Sequence, residues 1–118
     1  MAAISRIKVG NAEVRAELAG TPFLLALGLM FRGRLAPGTG MLLRFGVSAN
    51  HAIHMWFVRF PLDVIFIRED GVIARIHSAR PWESPFTAGS AVRYVLEVDS
   101  GFCRKNGIRA GDRCANLP

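Results

Sequence analysis

The sequence predicts a β-dominated α+β fold: a compact twisted antiparallel sheet, or a small barrel, carrying two short helices. Three observations predict it. Short runs of β-branched and aromatic residues recur along the chain, each bounded by turn residues. Twelve glycines and six prolines in 118 residues interrupt the chain more often than long helices tolerate. The apolar share of 51% suffices for a buried core and excludes disorder. At this length one domain is expected over residues 1–118, opening with a hairpin over residues 1–20.

Ser5 to Val9 and Ala12 to Leu18 flank Gly10-Asn11, a two-residue turn signal, and read as a β-hairpin. Val14, Ala16 and Leu18 alternate with Glu13, Arg15 and Glu17, so one face is buried and the other wet. Thr21-Pro22 suits a helix start, and Pro22 to Arg32 reads as the first short helix. Leu35 to Gly40 is a loop whose GTG is too short for a phosphate cradle. Met41 to Phe45 reads as a third strand.

The centre of the chain is Ile53 to Ile67, IHMWFVRFPLDVIFI. Ile53 to Phe57 and Val64 to Ile67 are expected to be strands, bent at Phe60-Pro61, where proline cannot donate to a ladder. Neither run alternates between apolar and polar, so both faces should be buried. His54, Arg59 and Asp63 lie inside this apolar stretch, where an unpaired charge costs several kcal/mol. The expected solution is an Arg59–Asp63 pair across the Pro61 bend, with His54 near the same opening; a ligand-facing polar cluster is the alternative.

Asp70-Gly71 marks a hairpin turn into the strand Val72 to His77, with His77 expected at the surface. Arg80 to Gly89 is the longest irregular segment, and binding residues concentrate on such loops. Its Trp82 and Phe86 either cover the core or line a pocket mouth. Ala91 to Val98 is a strand with Glu97 between Leu96 and Val98. Asp99-Ser100 can cap a second helix, Ser100 to Asn106, which Gly107 would end. Arg113 to Ala115 forms a last short strand.

Thirteen arginines and two lysines give a net charge of +6, yet no run of them gathers, so nucleic acid is the less favoured partner. Cys103 and Cys114 form no CxxC, and with His51 and His54 they match no standard zinc spacing. Two buried free thiols, no metal and no cofactor are expected. The opening MAAISRIKVG has no apolar run after its first charge, and the apolar stretch Pro22 to Phe31 is about half the ~20 residues that a membrane-spanning helix needs. A soluble, cytoplasmic protein without a membrane span is therefore expected.

GLMFR at Gly28 to Arg32, GMLLRF at Gly40 to Phe45, the central IHMWFVRFPLDVIFI, YVLEV at Tyr94 to Val98 and GIRAGD at Gly107 to Asp112 follow one another in order. Together they resemble the family called domain of unknown function 192, over roughly Thr21 to Ala115. The resemblance implies a compact, mainly β domain with short helices, and it implies no activity.

No nucleophile elbow, phosphate loop, HExxH or dinucleotide fingerprint occurs. The favoured function is a module that binds a small ligand or a protein partner at a barrel mouth, using residues among His54, Arg59, Asp63, Trp82 and Glu97. The alternatives are a small acid/base enzyme using His54 with Asp63 or Glu97, and a structural or nucleic-acid interaction protein. A pocket holding both His54 and a carboxylate would raise the enzyme reading, and a filled core with those groups paired only to each other would favour a structural or interaction role.

Overall fold

The computed structural model describes residues 3–21, 28–30 and 32–118. The strands are β1 (Ile4–Val9), β2 (Ala12–Ala19), β3 (Thr39–Ala49), β4 (Leu62–Ile67), β5 (Ile73–Ala79), β6 (Val92–Asp99) and β7 (Cys114–Ala115). One short helix, α1 (Phe102–Lys105), lies between β6 and β7. The expected helix Pro22 to Arg32 lies mostly outside the described residues.

The strands form one curled sheet in the order β5-β4-β6-β3-β2-β1-β7. Every pairing is antiparallel except β2 with β3, which run parallel. That pair is joined by residues 20–38, because a parallel neighbour cannot be reached by a tight turn. The sheet curls into a half-barrel, and its two ends meet beside β5 and β7. There Val72 bridges Arg113, and the Cys114 N–H donates to the Gly71 carbonyl at 2.8 Å.

All six residues of β4 are buried, Asp63 among them, as the apolar run Val64 to Ile67 implies. Leu62, Val64 and Phe66 face one core layer, with Leu43, Val95 and Met55. Ile65 and Ile67 face the other, with Ile7, Val14, Leu96 and Cys103. Among the described residues, the first layer is covered by the loops before β4 and after β5 and by Leu29 and Leu35 of the β2–β3 connection. Ile53 and Phe86 exchange backbone hydrogen bonds at 2.9 Å in both directions, which zips the loop before β4 to the loop after β5.

The strand expected over Ile53 to Phe57 is not formed beyond that single bridge. Met55, Val58 and Phe60 are buried against the sheet, while the chain turns at Phe57 with φ 61°. The hydrophobicity of this stretch is satisfied by packing down onto β4, not by pairing. Helix α1 also starts differently from expectation. Its N-cap is Gly101, in the left-handed region, and neither Asp99 nor Ser100 caps it with a side chain. Gly107, at φ 65°, follows its C-terminus as expected.

Candidate functional site

The sequence places three ionisable groups in the central stretch, but the fold sends them apart. Asp63 faces the layer that contains Cys103, and its Oδ2 accepts the Cys103 backbone N–H at 3.0 Å. Arg59 is exposed and forms no ion pair among the described residues. The expected Arg59–Asp63 pair is therefore absent. Alternation along β4 points Asp63 away from the layer that His54 overlies, so these two do not meet either.

The carboxylate that does join His54 is Glu97. It sits on β6, opposite Met41 of β3 and Val64 of β4, so both of its lateral neighbours are apolar. Glu97 is 4% exposed, and its Oε1 has no hydrogen-bond partner among the described residues. Burial pushes its carboxyl up to about 7. A cavity of about 60 Å³ opens at this carboxyl. Its described walls include Gly28, Leu29, Phe45, Val58 and His54, with no arginine or lysine. A volume of this size holds a few waters, or one small polar group of a ligand.

Gly28 carries a backbone φ of 48°. A Cβ built on it would stand 3.9 Å from Glu97 Oε1, so the glycine keeps that side of the pocket low. Gly28 belongs to the GLMFR motif that carries the family resemblance, and the spacing of that motif assigns it no role.

His54 comes from the loop before β4. The Trp56 backbone N–H donates to its Nδ1 at 3.2 Å, so Nε2 carries the hydrogen in the neutral ring. Burial lowers the His54 pKa, which favours that neutral form. The indole of Trp56 stacks on the His54 ring, with centroids 5.0 Å apart and planes 28° apart. Trp56 is 47% exposed. The site thus pairs a buried carboxyl acceptor with a neutral ring donor, beside a half-open aromatic face.

Trp82 is no part of this pocket's described wall. It is exposed at φ 63°, with its ring 4.8 Å from that of Phe57. Phe86 packs edge-on against Phe66 and covers the core.

His77, expected at the surface, is instead held on three sides. Arg75 donates to its Nδ1 at 3.0 Å, its Nε2–H donates to Glu83 Oε2 at 2.6 Å, and its ring lies 4.2 Å from Phe86. Glu83 also accepts the Arg80 backbone N–H at 2.9 Å, and that bond leads the interactions holding its carboxyl below the usual range. This cluster pins the loop after β5. Sequence reading missed it because the partner carboxylate lies past the end of the strand.

No group of three or more potential metal ligands occurs among the described residues. Cys103 and Cys114 are free and buried.

The comparisons agree on kinship. A crystal structure of a candidate transcription regulator from Sinorhizobium meliloti superposes with a TM-score of 0.92 at 35% identity, covering 98% of this chain and 97% of that one. A protein of unknown function from Novosphingobium aromaticivorans does so with a TM-score of 0.89 at 32% identity, covering 94% and 84%. A UPF0127 protein of Pyrococcus abyssi is 28% identical over 112 residues, which span 93% of this chain and 92% of its own. The sequence pattern of DUF192, described as Uncharacterized ACR, matches residues 5–115 and so takes in the opening hairpin as well as the body, and the chain belongs to that family.

Proposed function

We propose that the protein is a small-ligand-binding module whose ligand places one polar group between Glu97 and His54. The observation that supports this is Glu97 Oε1, buried in a pocket without a partner. More than nine-tenths of buried polar groups are paired, and leaving one open costs about 1–3 kcal/mol. A ligand that donates to this oxygen would recover the cost. The pocket is also partly preformed, since Gly28, Val58 and the strands behind Glu97 shape it without the ligand.

A second reading, a small acid/base enzyme, draws on the same pair, and it is raised by a pocket that is lined by both His54 and a carboxylate. A carboxyl near 7 beside a neutral imidazole is suited to moving protons at neutral pH. In this reading Glu97 takes the role, and Asp63, committed to helix α1, has none. A nucleic-acid partner gains no support from a pocket whose described wall has no arginine or lysine.

The test is titration of isotope-labelled protein with small hydroxyl- and amine-bearing fragments, followed by NMR. Binding should move the signals of Glu97, His54 and Gly28, and the Glu97→Leu variant should lose the response. Fragments that never move these signals, or that move them equally in the variant, would sink the proposal.

A further inference from the structure

We infer that the ligand is a neutral saccharide, held by a hydroxymethyl group in the pocket and by its ring against Trp56; this rests on the small-ligand reading above and names its ligand class.

The hydrogen-bond inventory of the pocket selects the chemistry first. Glu97 Oε1 is an acceptor in need of a donor. His54 has its Nδ1 occupied by the Trp56 N–H, so its remaining ring nitrogen carries the hydrogen and can donate. A hydroxyl serves both, donating to the carboxylate and accepting from the imidazole. A phosphate or carboxylate ligand would meet Glu97 with no cation in the described wall to offset it. A cationic amine would have to approach a chain of net charge +6.

The pocket's size then limits what enters. About 60 Å³ admits a hydroxyl on a one-carbon arm and excludes the ring that bears it. The ring must remain outside, beside His54. Trp56 lies outside the pocket's described wall and adjoins it through His54: its indole stacks on the His54 ring, and the side chain is 47% exposed. The apolar C–H face of a pyranose suits such a surface, because burying it against an aromatic ring removes apolar area from water while the equatorial hydroxyls stay wet. The exposed rings of Phe57 and Trp82, tilted at 59° to each other with centroids 4.8 Å apart, form a second aromatic surface on the adjoining loops that is available to a second sugar unit.

The backbone adds an independent sign that these rings are held in place. Phe57 and Trp82 adopt φ values of 61° and 63°, a conformation that bulky side chains rarely take. The Trp82 N–H donates to the Met55 carbonyl at 2.9 Å, and the Val58 N–H to the same carbonyl at 3.2 Å. One carbonyl thus ties the two loops together where the aromatic side chains emerge. Rigid aromatic side chains lose little entropy on binding, which suits weakly held neutral ligands.

The experiment is an NMR and tryptophan-fluorescence titration of the full chain with methyl glucoside, methyl galactoside, methyl mannoside and cellobiose, each paired where available with its 6-deoxy counterpart. At least one sugar should shift the His54 and Gly28 signals together with the Trp56 indole signal. Its 6-deoxy form should bind about tenfold more weakly or worse. Trp56→Ala should weaken the sugar by a similar factor, and Glu97→Leu should abolish the response to the sugar and to ethylene glycol alike. If ethylene glycol moves Glu97 and His54 but no sugar engages Trp56, the saccharide inference fails and the small-ligand reading stands. If neither produces a Glu97-dependent response, both fail. Sugar binding that survives both variants would place it elsewhere and overturn the inference.

Discussion

Asp63 on β4 accepts a hydrogen bond from the backbone N–H of Cys103, 40 positions later in the chain. Helix α1 begins at Phe102 behind a glycine N-cap that has no side chain to offer its free N–H groups. Asp63 supplies the missing acceptor from the neighbouring strand, the job that an N-cap side chain performs locally. The buried carboxylate of the central stretch is therefore a capping group, and the arginine four residues before it is a surface residue.

Asp63→Ala should accordingly destabilise the fold by about 1–3 kcal/mol in urea unfolding, since it strands a buried N–H. Arg59→Ala should change stability by less than ~0.5 kcal/mol. The double variant should equal the sum of the singles. A coupling above ~1 kcal/mol between the two would restore the ion pair that the geometry denies.

Gly40 gives a sharper packing test. A Cβ there would lie 2.6 Å from the Glu97 carbonyl oxygen, 3.0 Å from Val98 Cγ1 and 3.2 Å from Val14 Cγ1. The first of these is backbone in the paired strand β6 and cannot swing aside. Gly40→Ala should cost about 2–3 kcal/mol through overpacking. Gly33→Ala, where nothing stands within 4 Å of the new Cβ, should stay within ~0.5 kcal/mol. Equal urea midpoints for the two variants would contradict the close β3–β6 contact.

The thiols should be inert in the folded protein. Burial, with Asp63 beside it, pushes Cys103 up to about 12, and burial with Asp112 pushes Cys114 up to about 11. The thiolate is the reactive form, so both should resist a disulfide reagent at pH 8 and react at once in denaturant. Rapid labelling of either cysteine in native buffer would show that the packing around α1 and β7 opens readily.

Much of this was legible in the sequence because it rests on local chemistry. Gly10-Asn11 marks the turn of the β1–β2 hairpin, and the apolar run Val64 to Ile67 signals burial on both faces of β4. Gly107 marks the end of α1. Ile53 to Phe57 misleads because β propensity reports fitness for a half-buried surface rather than the presence of a partner strand. Here the surface is the top of β4, and only Ile53 finds a pairing partner. Glu97 is legible as a charge inside an apolar strand. Its meeting with His54 is not, because it depends on a loop folding back over the sheet. The Asp63–Cys103 bond is hidden for a related reason: its donor is backbone, and no residue type announces it.

Glu97 itself supplies the last prediction. Its carboxyl titrates at about 7 in the folded protein, against 4.5 as the reference value. Between those two pH values the folded state binds more protons than the unfolded one. Stability must therefore fall as pH rises through this window, and the penalty is complete above the folded value. The full size is of order 3 kcal/mol. Glu97→Gln keeps the shape and removes the ionisation. The variant should be more stable than the wild type at pH 8, and the gap should close as pH falls toward 4.5. Every other carboxylate is common to both proteins, so the difference between their urea-midpoint curves isolates this one group. Parallel curves across that range would mean that Glu97 ionises without penalty and is already partnered. A saturating ligand that donates a hydrogen bond to the carboxylate should flatten the wild-type slope and leave the variant's unchanged, because such a bond stabilises the charged form in the folded state alone.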